Sequence, residues 1–310
     1  MSPRAGRKLK LKKLLANYLP YFLGKIVCAF LEELPLSLTR PLLGRVFRLT
    51  YYFLPRERRL ALSNLEMALA KETTQRQRKK IAKAVFENMG KNLAEFIAVP
   101  RLKKREIISM VDGSDYLPKV QEALARGRGL IIATGHLGNW ELFAAYTACF
   151  FKLEVVALKL HFEKYDQEVV SRRMRLRMEV IYQSEGVRPI IKALKNNHSI
   201  GILLDQDIAE AGGVFTNFFG RKAHTVTAPF SIAQTIGSRV LPAAIVRLSD
   251  GRHKVIVSDF PPLDKTGDKL QDRLATAQRW SAIFEQFVRR YPEQWVWFHR
   301  RWKTRPKDEL

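Results

Sequence analysis

From about Arg105 the chain alternates short apolar, β-rich runs with helical stretches, and this alternation constrains the fold more than any other feature. The runs are RGLIIATGH, LEVVALKL, SIGILLDQD, RVLPAAIVRL and HKVIVSDF, the last placed near a sheet edge. NWELFAAYTACF, YDQEVVSRRMRLRMEV, GVRPIIKALKN and APFSIAQTIGS fall between them with helical patterning. Such an alternation predicts an α/β fold, a mixed sheet flanked by helices. In open sheets of this kind the chemistry collects at the carboxyl ends of the strands.

The rest of the chain divides around that domain, which spans 105–310. Residues 56–104 are rich in helix formers with apolar residues at three- and four-residue spacing, and Pro100 marks their end. They predict a helical subdomain that acts as scaffold. Residues 1–55 are basic, then apolar. Arg4, Arg7, Lys8, Lys10, Lys12 and Lys13 precede LLANYLPYFLGKIVCAFL. That run is near the ~20 apolar residues that span a bilayer. It carries Asn17, Pro20 and Lys25, which are costly at mid-bilayer. The next stretch sets Arg40, Arg45 and Arg48 among Leu, Val, Phe and Tyr. A basic amphipathic segment lies at an interface more readily than it crosses one. The competing reading is two ordinary core helices.

Charge limits the partners. Lys and Arg number 54 against 30 acids, a net +24. An excess of that size calls for an anionic partner: nucleic acid, lipid headgroups or an acidic carrier protein. A solvated basic surface is the bland alternative. No zinc spacing, RNP-like block or KH pattern is present, so a nucleic-acid reading rests on charge alone. The two cysteines, Cys28 and Cys149, form no CxxC pair, which argues against a disulfide framework or a zinc site and fits a reducing cytoplasm. Lys307 to Leu310 read KDEL, but no cleavable signal with a small-residue cleavage site accompanies them, so the tetrapeptide is read as coincidence.

His136 follows the strand GLIIA after a Thr-Gly turn, at the start of a helix. Glu141 lies five residues on, in that helix's first turns. With His136 in the turn, the chain can bring the carboxylate to the imidazole, fix its tautomer and leave the other nitrogen to take a hydroxyl proton. Gly138 and Asn139 leave room for substrate, and the helix N-terminus offers N–H groups to an oxyanion. Spacing alone is weak evidence, and a capping role for Glu141 is a fair alternative. Asp205 and Asp207 end the strand SIGILL. No other oxygen-rich ligand set is nearby, so Asp205 is assigned to substrate positioning or support rather than to metal. Asp207 reads equally as a turn former. In FFGRKAHT, Gly220 permits a tight backbone, Arg221 can reach a phosphate, and His224 reads as structural. Trp295, Trp297 and Trp302 interleave with Arg300, Arg301, Lys303 and Arg305. That pattern suits a lipid headgroup interface and equally single-stranded nucleic acid. No GxSxG elbow is present, which disfavours an acyl-enzyme hydrolase.

GHLGNWE resembles the catalytic block of the lipid A late acyltransferases, the lauroyl/myristoyl acyltransferase family, whose glycerolipid acyltransferase relatives share a His-x4-acid motif. LDQD at Leu204–Asp207, the block GGVFTNFFGRKAHTVTAPFSIAQTIGSRVLP and the closing VWFHRRWKTRP are similar to that family's later blocks, in the same order. The resemblance covers most of the chain from about residue 113. It implies that His136 is the general base, that Glu141 orients it, and that Arg175 corresponds to a family arginine important for activity, although neighbouring arginines leave its register open. It also implies an acyl thioester donor, acyl carrier protein or acyl-CoA, and an acceptor hydroxyl on an anionic glycolipid or lysolipid. The expected location is the cytoplasmic face of a bacterial inner membrane, peripheral or with a single anchor, with no nucleic-acid partner. No cofactor or metal is implied.

Overall fold

A computed structural model describes residues 3–263 and 265–306, with side chains from Tyr18 onward. The KDEL tetrapeptide and the side chains of the basic start lie outside that range. In chain order the strands are β1 (Val111–Asp112), β2 (Leu130–Thr134), β3 (Leu153–Ala157), β4 (Met178–Tyr182), β5 (Ser199–Leu203), β6 (Gly213–Phe218), β7 (Arg221–Val226), β8 (Arg239–Arg247) and β9 (His253–Val257). The helices are α1 (Pro3–Glu33), α2 (Leu36–Phe53), α3 (Pro55–Leu69), α4 (Gln75–Ala98), α5 (Lys104–Ser109), α6 (Leu117–Leu124), α7 (Trp140–Ala148), α8 (Glu163–Arg175), α9 (Arg188–Lys195), α10 (Ala228–Ile236) and α11 (Lys269–Arg290).

Among the described residues the main sheet has seven strands in the order β1-β9-β8-β2-β5-β3-β4. It is parallel except for the antiparallel pair β8–β9, so the mixed sheet expected from the sequence is present. Every residue of LIIAT in β2 is buried, as a central strand covered on both faces requires. Its register against β5 runs from Leu130↔Ser199 to Thr134↔Leu203. The two strands therefore end side by side, and the residues just beyond them meet. Two apolar clusters fill the faces of the sheet, one around Trp280, Phe284 and Ile200, the other around Tyr116, Phe143 and Ile245.

The local readings hold in part. HKVIVSDF lies near a sheet edge as expected, with only the two-residue β1 pairing outside it. The helix read through Val180 stops at Arg175. The chain turns at Arg177, with φ +61°, and 178–182 returns as edge strand β4 with Met178 and Ile181 buried. The β6–β7 hairpin and α11 are additions to the sequence reading. They pack together through aromatics and the Thr216–Ser281 hydroxyl pair at 2.8 Å.

The helical layer is riveted to the sheet by a buried ionic cluster. Glu95 on α4 is fully buried. It accepts from both terminal nitrogens of Arg247 on β8, from Asn139 Nδ2 at 2.7 Å, and lies 3.1 Å from His253 Nε2. Arg40 of α2 adds an ion pair at 2.8 Å. Burial pushes the Glu95 carboxyl up, but His253 and Arg247 outweigh it and hold it well below the usual carboxylate range. Arg40, expected on an interfacial face, thus points inward, and Arg48 pairs with Glu87 at 2.7 Å, while Arg45 stays exposed. The outward faces of both helices are apolar: Phe22, Ile26 and Phe30 on α1, Leu42, Val46 and Leu49 on α2 are all exposed. No described helix is long and apolar enough to cross a membrane.

Removing one partner of a buried ion pair costs about 3–5 kcal/mol. Glu95→Ala, which strands Arg247 and Arg40, is expected to lower unfolding free energy by about that amount in denaturant titration. A loss below about 1 kcal/mol would show that the cluster does not hold the layers together.

Candidate active site

His136 sits two residues beyond β2, and Asp205 two residues beyond β5. Register alone therefore places them opposite each other. Asp205 is fully buried and accepts three bonds. The His136 backbone N–H donates to Oδ2 at 2.8 Å, the imidazole Nδ1 lies 2.8 Å from Oδ1, and Trp295 Nε1 donates to Oδ2 at 2.7 Å. Burial raises the Asp205 carboxyl, yet the His136 charge and these hydrogen bonds together hold it well below the usual carboxylate range. An ionised Asp205 places the ring proton on Nδ1 and leaves Nε2 as the acceptor. Gly135 makes the approach possible: a Cβ there would stand 2.8 Å from Asp205 Cγ and 2.2 Å from Phe284.

Glu141, expected to orient His136, does not make that bond. It lies in the first turn of α7, whose start is fixed by Asn139 Oδ1 accepting from Leu142 N–H at 3.1 Å. Both Glu141 oxygens are taken by Arg173 of α8, at 2.6 and 3.1 Å. Burial disfavours the Arg173 charge, but Glu141 more than offsets it and keeps the guanidinium protonated. Arg173 is therefore the arginine that the site contains. Arg175, two residues on, is exposed at the end of α8 and does not line the cavity, because the helix turns it to another face.

The oxyanion role expected of the Gly138–Asn139 turn also changes. The Gly138 N–H donates to the Gln294 carbonyl at 3.0 Å, and its carbonyl accepts from Asn92 Nδ2 at 2.6 Å. Gly138 has φ +64°, and a Cβ would fall 1.9 Å from the Ile245 carbonyl oxygen, so the residue serves close backbone passage rather than substrate room. The Asn139 amide is turned into the Glu95 cluster, although the residue still borders the cavity. Arg221 begins β7, is exposed, contacts Met67 Sδ at 3.0 Å and lies off the cavity. Asp207 caps the C-terminal segment through Thr304 N–H at 2.6 Å and Oγ1 at 2.9 Å. His224 is buried beside Asp207, and burial pushes its pKa down.

Arg301, read as part of a headgroup interface, is instead fully buried and donates to the His224 carbonyl and to Thr225 Oγ1 at 2.7 Å. It belongs to a C-terminal strap that brings two further residues to the site. Trp295 binds Asp205, and the His299 ring centroid stands 4.7 Å from that of His136. Gln206 Nε2 lies between the imidazoles, 3.4 Å from His136 Nε2 and 3.2 Å from His299 Nδ1. His299 and Gln206 were missed as site residues. Both lie within motif blocks already singled out, VWFHRRWKTRP and LDQD, and position in those blocks was the available signal.

The site opens into a cavity of about 660 Å³. His136, Glu141, Arg173 and Gln206 line one end, and Phe47, Leu93, Phe96, Val169 and Ile202 line the rest. That is a polar reaction centre on an apolar chamber of small-molecule size, in the range of about 300–1,000 Å³. Among the described residues no cluster of His, Cys, Asp and Glu is placed to hold a metal. A buried Asp–His pair at a strand terminus facing such a chamber can draw a proton from a hydroxyl and return it to a leaving group.

The comparisons supply the class, an acyltransferase, and the family. A family model described as bacterial lipid A biosynthesis acyltransferase matches residues 7–304, and the chain belongs to that family. It is 25% identical over 294 residues to the lipid A biosynthesis lauroyltransferase of Escherichia coli K12, covering 92% of each chain. It is 27% identical to the palmitoleoyltransferase of the same strain, covering 83% of this chain and 82% of the relative. The phosphatidylinositol mannoside acyltransferase of Mycobacterium tuberculosis CDC 1551 is 26% identical, covering 71% and 69%.

The geometry separates the two carboxylates by experiment. Asp205→Asn should lower turnover about 10³–10⁴-fold by disturbing the His136 tautomer, as loss of the orienting carboxylate does in other His-dependent sites. Glu141→Ala should act through Arg173, and Arg173→Ala should match it. If the double variant loses the product of the two single losses, the two residues act independently and the pairing has no functional weight.

Proposed function

We propose that this chain transfers a fatty acyl group from an acyl thioester to a hydroxyl of a lipid A precursor or a related glycolipid. Acyl carrier protein is the preferred donor, with acyl-CoA the alternative. The observation that carries the reading is the Asp205–His136 pair, with His136 lining a largely apolar chamber, in a chain of this family. His136 Nε2 accepts the acceptor's hydroxyl proton while Nδ1–H stays on Asp205. The hydroxyl oxygen attacks the thioester carbon, a tetrahedral oxyanion forms, and the C–S bond breaks as the ester is made. The proton on Nε2 passes to the departing thiolate. Arg173, held on the cavity wall by Glu141, takes the role given to Arg175 in the sequence and faces the anionic acceptor. Asp205 supports the base, and Arg221 stands outside this chemistry.

The second part of the reading is location. Residues 1–55 form the membrane-binding region, residues 56–104 the scaffold, and residues 105–310 the catalytic domain, docked on the cytoplasmic face of an inner membrane. On α1, Leu19, Phe22, Leu23, Ile26, Val27 and Phe30 make one exposed apolar stripe, and α2 carries a second. Phe47 of α2 lines the cavity, so α2 forms part of its wall. Exposed apolar stripes beside a +24 charge support an anionic lipid surface over a polynucleotide.

Two measurements test the proposal. With lauroyl thioesters of acyl carrier protein and of CoA, and a lipid A precursor or a lysophospholipid as acceptor, wild type should transfer to the lipid A precursor. His136→Ala should lose about 10²–10⁴-fold. Wild-type turnover in His136→Ala, or transfer to the lysophospholipid alone, refutes the assignment. The triple change Phe22→Glu, Ile26→Glu and Phe30→Glu should cut pelleting with anionic phospholipid vesicles by about tenfold or more, since it removes buried apolar area and adds repulsion. Unchanged pelleting places the membrane contact elsewhere.

A further inference from the structure

Gln206 stands at the centre of the site, yet the proton relay does not use it. Its amide nitrogen is 3.4 Å from His136 Nε2, the atom that receives the hydroxyl proton, and it borders the same cavity. A hydroxyl bonded to Nε2 sits about 2.6–3.2 Å from it. The thioester carbon attacked by that hydroxyl, and the oxyanion formed on it, must lie within a few ångströms of the same nitrogen. The other donor expected to serve an oxyanion, the Gly138 N–H, is spent on the Gln294 carbonyl.

We propose that the Gln206 side-chain amide donates to the oxyanion of the tetrahedral intermediate, and that His299 is the positioning residue that holds this amide with its N–H groups toward the reaction centre. An amide nitrogen has two hydrogens. One faces the His299 imidazole, whose Nδ1 and Nε2 stand 3.2 and 3.4 Å away, and the other faces His136 Nε2. When a substrate hydroxyl takes the lone pair of Nε2, the second hydrogen is released and turns to the forming oxyanion. The first stays on His299, so the amide does not flip its oxygen toward the negative charge.

His299 is fit for that task because it stays an acceptor. Burial, and then the charge of His136, push it down to about 4, with Asp205 pulling the other way, so at neutral pH it is an uncharged imidazole. Its place is fixed from the backbone, where its carbonyl accepts from Asn64 Nδ2 at 2.8 Å. Gln206, by contrast, is only half-buried, which leaves its side chain freedom to adjust as substrate enters.

The inference rests on the acyl-transfer reading, and one assay with the full chain separates the two. The probes are lauroyl-acyl carrier protein and lauroyl-CoA with a lipid A precursor as acceptor. Gln206→Leu should lower kcat about 10²–10³-fold, the loss typical of one oxyanion donor, with donor KM within about threefold. Gln206→Glu, nearly isosteric but with a carboxylate facing the oxyanion, should lose at least as much. His299→Leu should lower kcat about tenfold, and His299→Asn, which retains an acceptor, should recover most of it. If wild type transfers nothing to this acceptor, both readings fall together. If wild type transfers and Gln206→Leu keeps its kcat, or loses only in KM, the oxyanion role alone is overturned. If Gln206→Leu loses kcat while His299→Leu does not, or if His299→Asn gives no rescue, the positioning role of His299 is overturned.

Discussion

A carboxylate shut away from water must find donors for its oxygens, and much of this site is arranged around the needs of one of them. Asp205 is fully buried and receives three N–H groups: a backbone amide and a ring nitrogen from His136, and the Trp295 indole. Each comes at a structural cost elsewhere. The His136 contacts require that β2 and β5 end in register and that residue 135 lack a side chain. The Trp295 contact requires the C-terminal strap to be docked. The strap is held by Val296 N–H on the His136 carbonyl at 3.2 Å, by Arg301 beneath the β6–β7 hairpin and by Asp207 on Thr304. A chain segment some ninety positions beyond Asp205 is thus part of the same charge-satisfaction problem as the base itself. An unpaired buried charge would cost several kcal/mol, so strap and site form together.

How much of this was legible in the sequence depends on which contacts are local. The β2 strand, the helix after it and the placing of His136 at their junction follow from a periodicity change over a dozen residues. The family follows from four ordered blocks. The carboxylate partner of His136 was misassigned to Glu141 because Glu141 is near in sequence, whereas Asp205 is near only once β2 and β5 are known to be neighbours. Strand order is set by crossovers through α7, β3, α8, β4 and α9, and no local pattern reports it. The same applies to Arg173 over Arg175. Two residues apart on a helix is about 200° of rotation, and only the packed position of α8 says which one faces Glu141. His299 was hidden by its company: among Trp, Arg and Lys the segment reads as an interface, and nothing local shows that it folds inward.

The large positive charge is also sorted by folding. Arg40, Arg173, Arg247 and Arg301 are turned inward, and Arg40, Arg173 and Arg247 meet carboxylates there. On α2 this makes a helix with two characters, ionic toward Glu95 and apolar toward solvent. In the sequence those residues mix into one basic amphipathic run. The structure resolves them into a rivet and a stripe. The Glu95 cluster reaches the reaction centre through Asn139, which caps α7 with its oxygen and binds Glu95 with its nitrogen, and through Asn92, which joins Arg247 to the Gly138 carbonyl. The helical layer therefore fixes where α7 begins, and with it the position of Glu141.

The division of labour between Asp205 and Glu141 has a chemical reason. On the acyl-transfer mechanism proposed above, a base that must give its proton to a departing thiolate cannot be held too firmly as the imidazolium. One buried carboxylate on Nδ1 suffices to set the tautomer and share the charge. A second beside the ring would add to the stabilisation of the cation and slow the return of the proton, because each unit of raised pKa is about 1.4 kcal/mol of extra hold. Glu141 borders the same cavity, and both its oxygens go to Arg173 instead of to the ring. The carboxylate in turn holds the guanidinium on the cavity wall. The two acids thus have separate partners, Asp205 the His136 ring and Glu141 the Arg173 guanidinium of α8.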